Sequence, residues 1–127
     1  FAVKALPNPR ILEIMKDMGF GFDCSSISEL ILSRSVGAVG EDIMFTSNNT
    51  LREEFRVAGE DGGVILNLDD ISLIEKLDKI PDLICFRYNP GPSRFGNKII
   101  GNPVEAKYGL TSSQMIEAYK RCKDAGT

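Results

Sequence analysis

FAVKALPNPRILEIMKDMGFGFD, residues 1–23, reads as an apolar strand, an amphipathic helix and a second strand, and this unit decides the fold. Asn8 before Pro9 places an N-cap ahead of a proline in the first helical turn, and Gly19 ends the helix after Ile11, Leu12, Ile14, Met15 and Met18. One side of that helix is apolar. The same alternation continues, with strands predicted over residues 1–5, 20–23, 43–47, 64–68 and 83–88. Ser26 with Glu29, Thr50 with Glu53, and Thr111 with Gln114 each match the capping box, in which two orphan backbone donors are satisfied reciprocally by the two side chains. A further helix starts near Asp69 or Asp70, buries Ile71, Ile74 and Leu77, and is closed by Pro81. From Asn89 to Gly109 the periodicity stops among Pro90, Pro92, Pro103 and four glycines, so this stretch is a long loop of the kind that is usually functional or mobile. Strands alternating with helices build a parallel α/β sheet. Five such strands in parallel (β/α) units fit either an open α/β sheet or a closed barrel.

With 127 residues, 43% hydrophobic and 26% charged, the chain suits one folded domain with a real core. A net charge of −3 and scattered basic residues argue against nucleic acid or an anionic membrane as partner. No apolar run approaches the roughly 18 residues of a membrane span. Cys24, Cys85 and Cys122 are far apart and the chain has no histidine, so neither a zinc site nor a disulfide framework is indicated. A reducing, cytoplasmic home is the default expectation, although the sequence opens on Phe1-Ala2-Val3 without an initiator methionine, and a missing leader carries no weight. Met15, Met18 and Met44 are expected as core filler, Cys85 as a small hydrophobe inside the barrel, and Cys24 as structural.

Side chains alternate across a strand, which splits each unit into a helix-packed set and an inner set. Phe1, Val3 and Ala5 oppose Ala2 and Lys4; Phe20 and Phe22 oppose Gly21 and Asp23; Ile84, Phe86 and Tyr88 oppose Leu83, Cys85 and Arg87. With the bulky sets outward, Lys4, Asp23 and Arg87 converge with Thr46 and Asn67 at the C-terminal ends of neighbouring strands. That rim is where open α/β sheets and closed barrels hold ligands. A lysine amine in such a site, desolvated and beside a cation, can free its lone pair for attack on a carbonyl, while Asp23 acts in the opposite sense. A plain salt bridge between a strand lysine and an aspartate accounts for the same pattern.

The segment F-A-V-K-A-L-P-N-P, Phe1 to Pro9, resembles the Y-A-V-K-A-N-x-N-P of the alanine-racemase-like pyridoxal-phosphate decarboxylases. Further resemblances follow in order: G-F-D-C-S-S-I-S-E-L from Gly21, I-M-F-T-S-N-N from Ile43, R-Y-N-P-G from Arg87, and A-K-Y-G-L from Ala106. The last two are more similar to diaminopimelate decarboxylases than to ornithine decarboxylases. The resemblance implies parallel (β/α) units of a TIM-type barrel, about five of its eight strands in this chain, rather than a doubly wound sheet with crossed strand order. With that fold it implies pyridoxal 5'-phosphate as cofactor, Lys4 as the lysine that carries it, Asp23 beside that lysine, and Arg87 as a cationic support beneath the cofactor. It also implies a positioning role for Lys107. Leu6 stands where the family usually has Asn.

The implied reaction is decarboxylation of meso-diaminopimelate to L-lysine, a step of lysine biosynthesis, with ornithine, lysine or carboxynorspermidine as alternative substrates. A non-catalytic, cofactor-binding or regulatory homologue is the alternative of another class. The family's ring-stacking histidine, its later glycine-rich phosphate loop and its later acidic partner for the pyridine nitrogen have no counterpart here. Nor does the C-terminal β-domain, in which a Cys-Asp pair from the partner subunit completes the substrate pocket. Residues 1–127 are therefore expected to be a partial cofactor-binding barrel domain of a longer, homodimeric enzyme.

Overall fold

The computed structural model describes residues 1–46, 48–90 and 108–125. Its core is a four-stranded, fully parallel sheet of β1 (Phe22–Cys24), β2 (Gly40–Phe45), β3 (Val64–Leu68) and β4 (Ile84–Phe86), in the spatial order β1-β2-β3-β4. Between them run α1 (Pro9–Asp17), α2 (Ile27–Ser35), α3 (Arg52–Gly59) and a 3₁₀ helix (Ile71–Lys76), with α4 (Ser112–Asp124) after β4. Strands adjacent in sequence are adjacent in the sheet, which is the winding of a (β/α) barrel and excludes a crossed, doubly wound order.

Local chemistry sets the helix starts. Asn8 accepts from the amides of Arg10 and Ile11, and Pro9 occupies the first helical position. Ser26 accepts from the Glu29 amide, and Glu29 returns the bond to the amide of Ser25. Thr111 and Gln114 form the full reciprocal box. In α3 the frame is one residue later than the Thr50–Glu53 reading: the Glu54 carboxylate accepts from the Leu51 amide, and Thr50 is buried. The helix predicted from Asp69 or Asp70 is a 3₁₀ helix capped by Asp70, and its fully buried residue is Leu73, while Ile71, Ile74 and Leu77 are partly buried against the core. The three predicted positions lie three residues apart, so on a 3₁₀ helix they share one side, and that side packs against the core beside Leu73.

The predicted strand over residues 1–5 is corrected. Only Ala2 bridges β1, opposite Asp23, and Val3–Ala5 turn immediately into a 3₁₀ helix. The sheet therefore has four strands among the described residues and not five. Two bonds hold this entry against β1, from the Phe1 terminal amine to the Gly21 carbonyl (2.6 Å) and from the Asp23 amide to the Phe1 carbonyl (2.8 Å). Gly21 is required here, since a Cβ on it would lie 2.9 Å from the Asp42 carbonyl oxygen.

The alternation argument holds for the other strands. Phe22 and Cys24, Ile43 and Phe45, Val64, Leu66 and Leu68, and Ile84 and Phe86 are buried beneath the helices. Val3, Leu12, Leu30, Ala58, Leu73 and Ala118 meet them from the helical side. Asp23, Met44, Ile65, Asn67 and Cys85 lie on the opposite face and are only partly covered. Met18 and Phe20 depart from expectation: both are exposed, because α1 ends at Asp17 and β1 begins at Phe22, which leaves them in the connection. No described helix is long and apolar enough to cross a membrane.

Candidate functional site

The C-terminal ends of the strands carry the polar groups of the inner face. Asp23 lies in β1, Thr46 directly follows β2, and Asn67 lies in β3. They form a continuous row: Asn67 Nδ2 donates to Thr46 Oγ1 (3.2 Å), and Thr46 Oγ1 donates to Asp23 Oδ1 (3.3 Å). The pairing register explains this reach. Asp23 is level with Met44, and Met44 with Ile65, so Thr46 and Asn67 stand one inward layer higher, and a diagonal bond links the layers. Asn67 is in turn level with Cys85, and two residues on, Arg87 leaves the sheet with its amide on the Leu68 carbonyl (2.8 Å).

Lys4 sits in the 3₁₀ turn that follows Ala2, the residue bridged to Asp23. It is exposed, and among the described residues it makes no hydrogen bond or ion pair. The alternation that was to turn it inward does not apply, since the turn begins at Val3. Arg87 is also exposed, and its guanidinium lies over the Tyr108 ring, 5.9 Å from the centroid. Of the predicted constellation, then, Asp23, Thr46 and Asn67 are joined by hydrogen bonds. Lys4 flanks that row through the Ala2 bridge, and Arg87 stands at the far end of the same rim. Ser47, most of the loop after Pro90, and Lys107 lie outside the described residues.

Sequence reading missed Asp69. Of the Asp69-Asp70 pair, Asp70 caps the 3₁₀ helix through the Ser72 amide (2.8 Å), but Asp69 is 4% exposed. Extending the β3–β4 register by one residue sets it opposite Arg87. Burial pushes its carboxyl above the ordinary carboxylate range, opposed by its own backbone N–H and by the Arg87 charge. The folded state thus holds this proton more tightly than the unfolded chain. Its stabilising effect is present at acid pH and is lost as pH rises from the ordinary carboxylate value through the raised one. Asp69→Asn is expected to unfold at a higher temperature than the wild type at neutral pH. That advantage should shrink to nothing below about pH 4. Thermal unfolding measured across this interval tests it, and a difference independent of pH would count against it.

A separate cleft of about 550 Å³ opens at the other end of the sheet, beside Gly40, Val64 and Leu83 at the strand starts. Its arginines are already engaged, Arg52 and Arg56 with Asp78 at 2.7 and 2.6 Å. Barrel folds place chemistry at the opposite rim, where the polar row lies.

A sequentially wound parallel sheet with its polar groups gathered at the strand C-termini defines a ligand-holding α/β barrel segment. The chain belongs to the family described as pyridoxal-dependent decarboxylase, pyridoxal binding domain, which matches residues 1–126. It is 39% identical over 126 residues to Protein TabA of Pseudomonas amygdali pv. tabaci, covering 99% of this chain and 30% of that protein. It is 32% identical over 128 residues to the diaminopimelate decarboxylase of Thermoplasma acidophilum, covering 99% of this chain and 31% of that enzyme. Among solved structures, diaminopimelate decarboxylase from Helicobacter pylori complexed with L-lysine superposes with a TM-score of 0.86 at 22% identity, over 99% of this chain and 34% of that one. The chain thus spans about a third of the length of these relatives. The fold expectation of parallel (β/α) units from a TIM-type barrel is met, as is the family.

The cofactor this family implies is pyridoxal phosphate, and the donor set at the rim fits it. An aldehyde needs a primary amine, and Lys4 supplies one that is exposed and has no partner among the described residues. The cation Arg87 and the hydrogen-bonded row lie at the same end of the sheet.

Proposed function

We propose that this chain is the cofactor-carrying part of an amino-acid decarboxylase acting on meso-diaminopimelate, with L-lysine as product. The observation that carries the reading is the coincidence, at one rim, of an exposed lysine amine that has no partner among the described residues with the hydrogen-bonded polar row Asp23, Thr46 and Asn67. When bound, pyridoxal phosphate supplies an aldehyde for a lysine amine and a ring that accepts the electron pair freed as carbon dioxide leaves.

The chain's own residues then have distinct tasks. Lys4 carries the cofactor. Asp23 balances the charge beside it, with Oδ1 held by Thr46, so that the carboxylate is fixed in orientation. Arg87 supports the cofactor with a delocalised positive charge and a fork of N–H donors. Residues 1–127 serve as a partial barrel domain whose remaining strands lie elsewhere in the full-length protein, a cytoplasmic homodimer.

Substrate choice rests on relatives named diaminopimelate decarboxylase and on the Arg87–Gly91 and Lys107–Gly109 motifs. The test is carbon dioxide release by the full-length protein from meso-diaminopimelate, ornithine, lysine and carboxynorspermidine in parallel. Fastest turnover of meso-diaminopimelate is expected. A site that pairs a distal charged group rejects a substrate lacking it by a large factor, so the ranking will be decisive. Faster turnover of ornithine or carboxynorspermidine would defeat the substrate and leave the class. Cofactor binding without release from any of them would favour a regulatory, non-catalytic protein.

A further inference from the structure

We propose that Tyr108 is a positioning residue that holds the Arg87 guanidinium at the rim, an inference that rests on reading Arg87 as the cationic support of the cofactor. After β4 the backbone of Arg87 is fixed on both sides, its amide on the Leu68 carbonyl (2.8 Å) and its carbonyl on the Leu110 amide (2.7 Å). The returning segment is stitched to the same strand ends. The Gly109 amide bonds the Asp69 carbonyl (2.8 Å), the Asn89 amide bonds the Leu110 carbonyl (2.8 Å), and Tyr88 and Leu110 form a parallel bridge. Asn89 Nδ2 also reaches the Tyr108 carbonyl (3.4 Å), and Leu110 is 1% exposed, which anchors the segment in the core.

Gly109 makes this approach possible. Its φ is +102°, and a Cβ there would sit 3.0 Å from Asn89 Cβ and 3.2 Å from the Arg87 carbonyl oxygen. The outcome is that the Tyr108 ring is delivered beneath Arg87, 5.9 Å from centroid to Cζ. Among the described residues no carboxylate is in ion-pair contact with Arg87, and the Asp69 carboxyl feels its charge only at a distance. The choice of partner has a chemical consequence. A carboxylate would occupy the N–H fork and cancel its charge, whereas a ring face attracts the cation and leaves all five donors free for a ligand. Tyr108 therefore restricts a long, exposed side chain without competing with what that side chain is to hold.

The test uses the full-length protein freed of cofactor and reads the dissociation constant for pyridoxal phosphate by equilibrium dialysis, with urea midpoints alongside. Tyr108→Leu is expected to weaken binding about fivefold, the scale of one cation–π contact, while Tyr108→Phe, which keeps the ring, stays within about twofold of wild type. In an Arg87→Ala background Tyr108→Leu should add nothing. Unchanged urea midpoints in all variants would place the effect on Arg87 and not on the fold. Equal binding by the Leu and Phe variants, or an undiminished effect of Tyr108→Leu without Arg87, would overturn the proposal while Arg87 keeps its role. Unaltered binding by Arg87→Ala itself would overturn both.

Discussion

Lys4→Ala in the full-length protein is expected to abolish the absorbance band of bound cofactor in the visible violet and to lower decarboxylation by about 10³-fold or more, the scale on which loss of an essential reacting group acts. Lys4 makes no hydrogen bond or ion pair among the described residues and is exposed, so its removal empties no space in the core. The urea midpoint of the cofactor-free protein should be unchanged. Borohydride treatment followed by peptide mass mapping gives an independent reading, with the cofactor's mass expected on the peptide that contains Lys4. An unaltered spectrum in Lys4→Ala, or attachment at another lysine, would exclude this residue.

Phe45→Ala is expected to do the opposite, costing about 3–5 kcal/mol of stability through lost burial and the cavity left behind. Phe45 is 1% exposed at the end of β2, level with Cys24 on one side and Leu66 on the other, so it fills the middle of the helix-packed layer. A typical fold is stable by only about 5–15 kcal/mol, so the substitution should bring the barrel transition to much lower urea. A shift worth under about 1 kcal/mol would mean that the layer can collapse around the gap. Taken with Lys4→Ala, it contrasts a residue of the helix-packed layer, where stability is expected to be lost, with an exposed residue of the rim, where it is not.

Strand alternation made that division legible from the amino acids alone. Period-two patterning found β2, β3 and β4 and assigned Asp23, Thr46 and Asn67 to one face, because each strand is buried on its bulky side and cannot slip by a residue without inverting it. Helix caps at Asn8, Ser26 and Thr111 were equally readable, since a capping side chain followed at once by proline, or three residues on by a matching partner, is a local device. What was not readable depended on contacts distant in sequence. Residues 1–5 have strand-like composition, yet only Ala2 pairs, and the turn at Val3–Ala5 is set by Val3 entering the core. Asp69 and Asp70 are chemically identical in sequence, and only the β3–β4 register tells the buried one from the cap. Tyr108 lies 21 positions from Arg87, and nothing in local pattern links an aromatic in a glycine-rich loop to a cation at a strand end.

The placement of the three thiols has a kinetic corollary. Cys24 is fully buried against Ser33 Oγ at 3.3 Å, and Cys122 is buried in α4; burial pushes both thiols up from their ordinary range. Cys85, on the inner face of β4, is only partly covered. Alkylating reagents capture the thiolate, so at neutral pH the two buried sulfurs become labelled only when the surrounding structure opens. Each cysteine is thus an internal clock for a different event: Cys122 for the detachment of α4, Cys24 for the parting of β1 from α2, and Cys85 for access to the open face of the sheet.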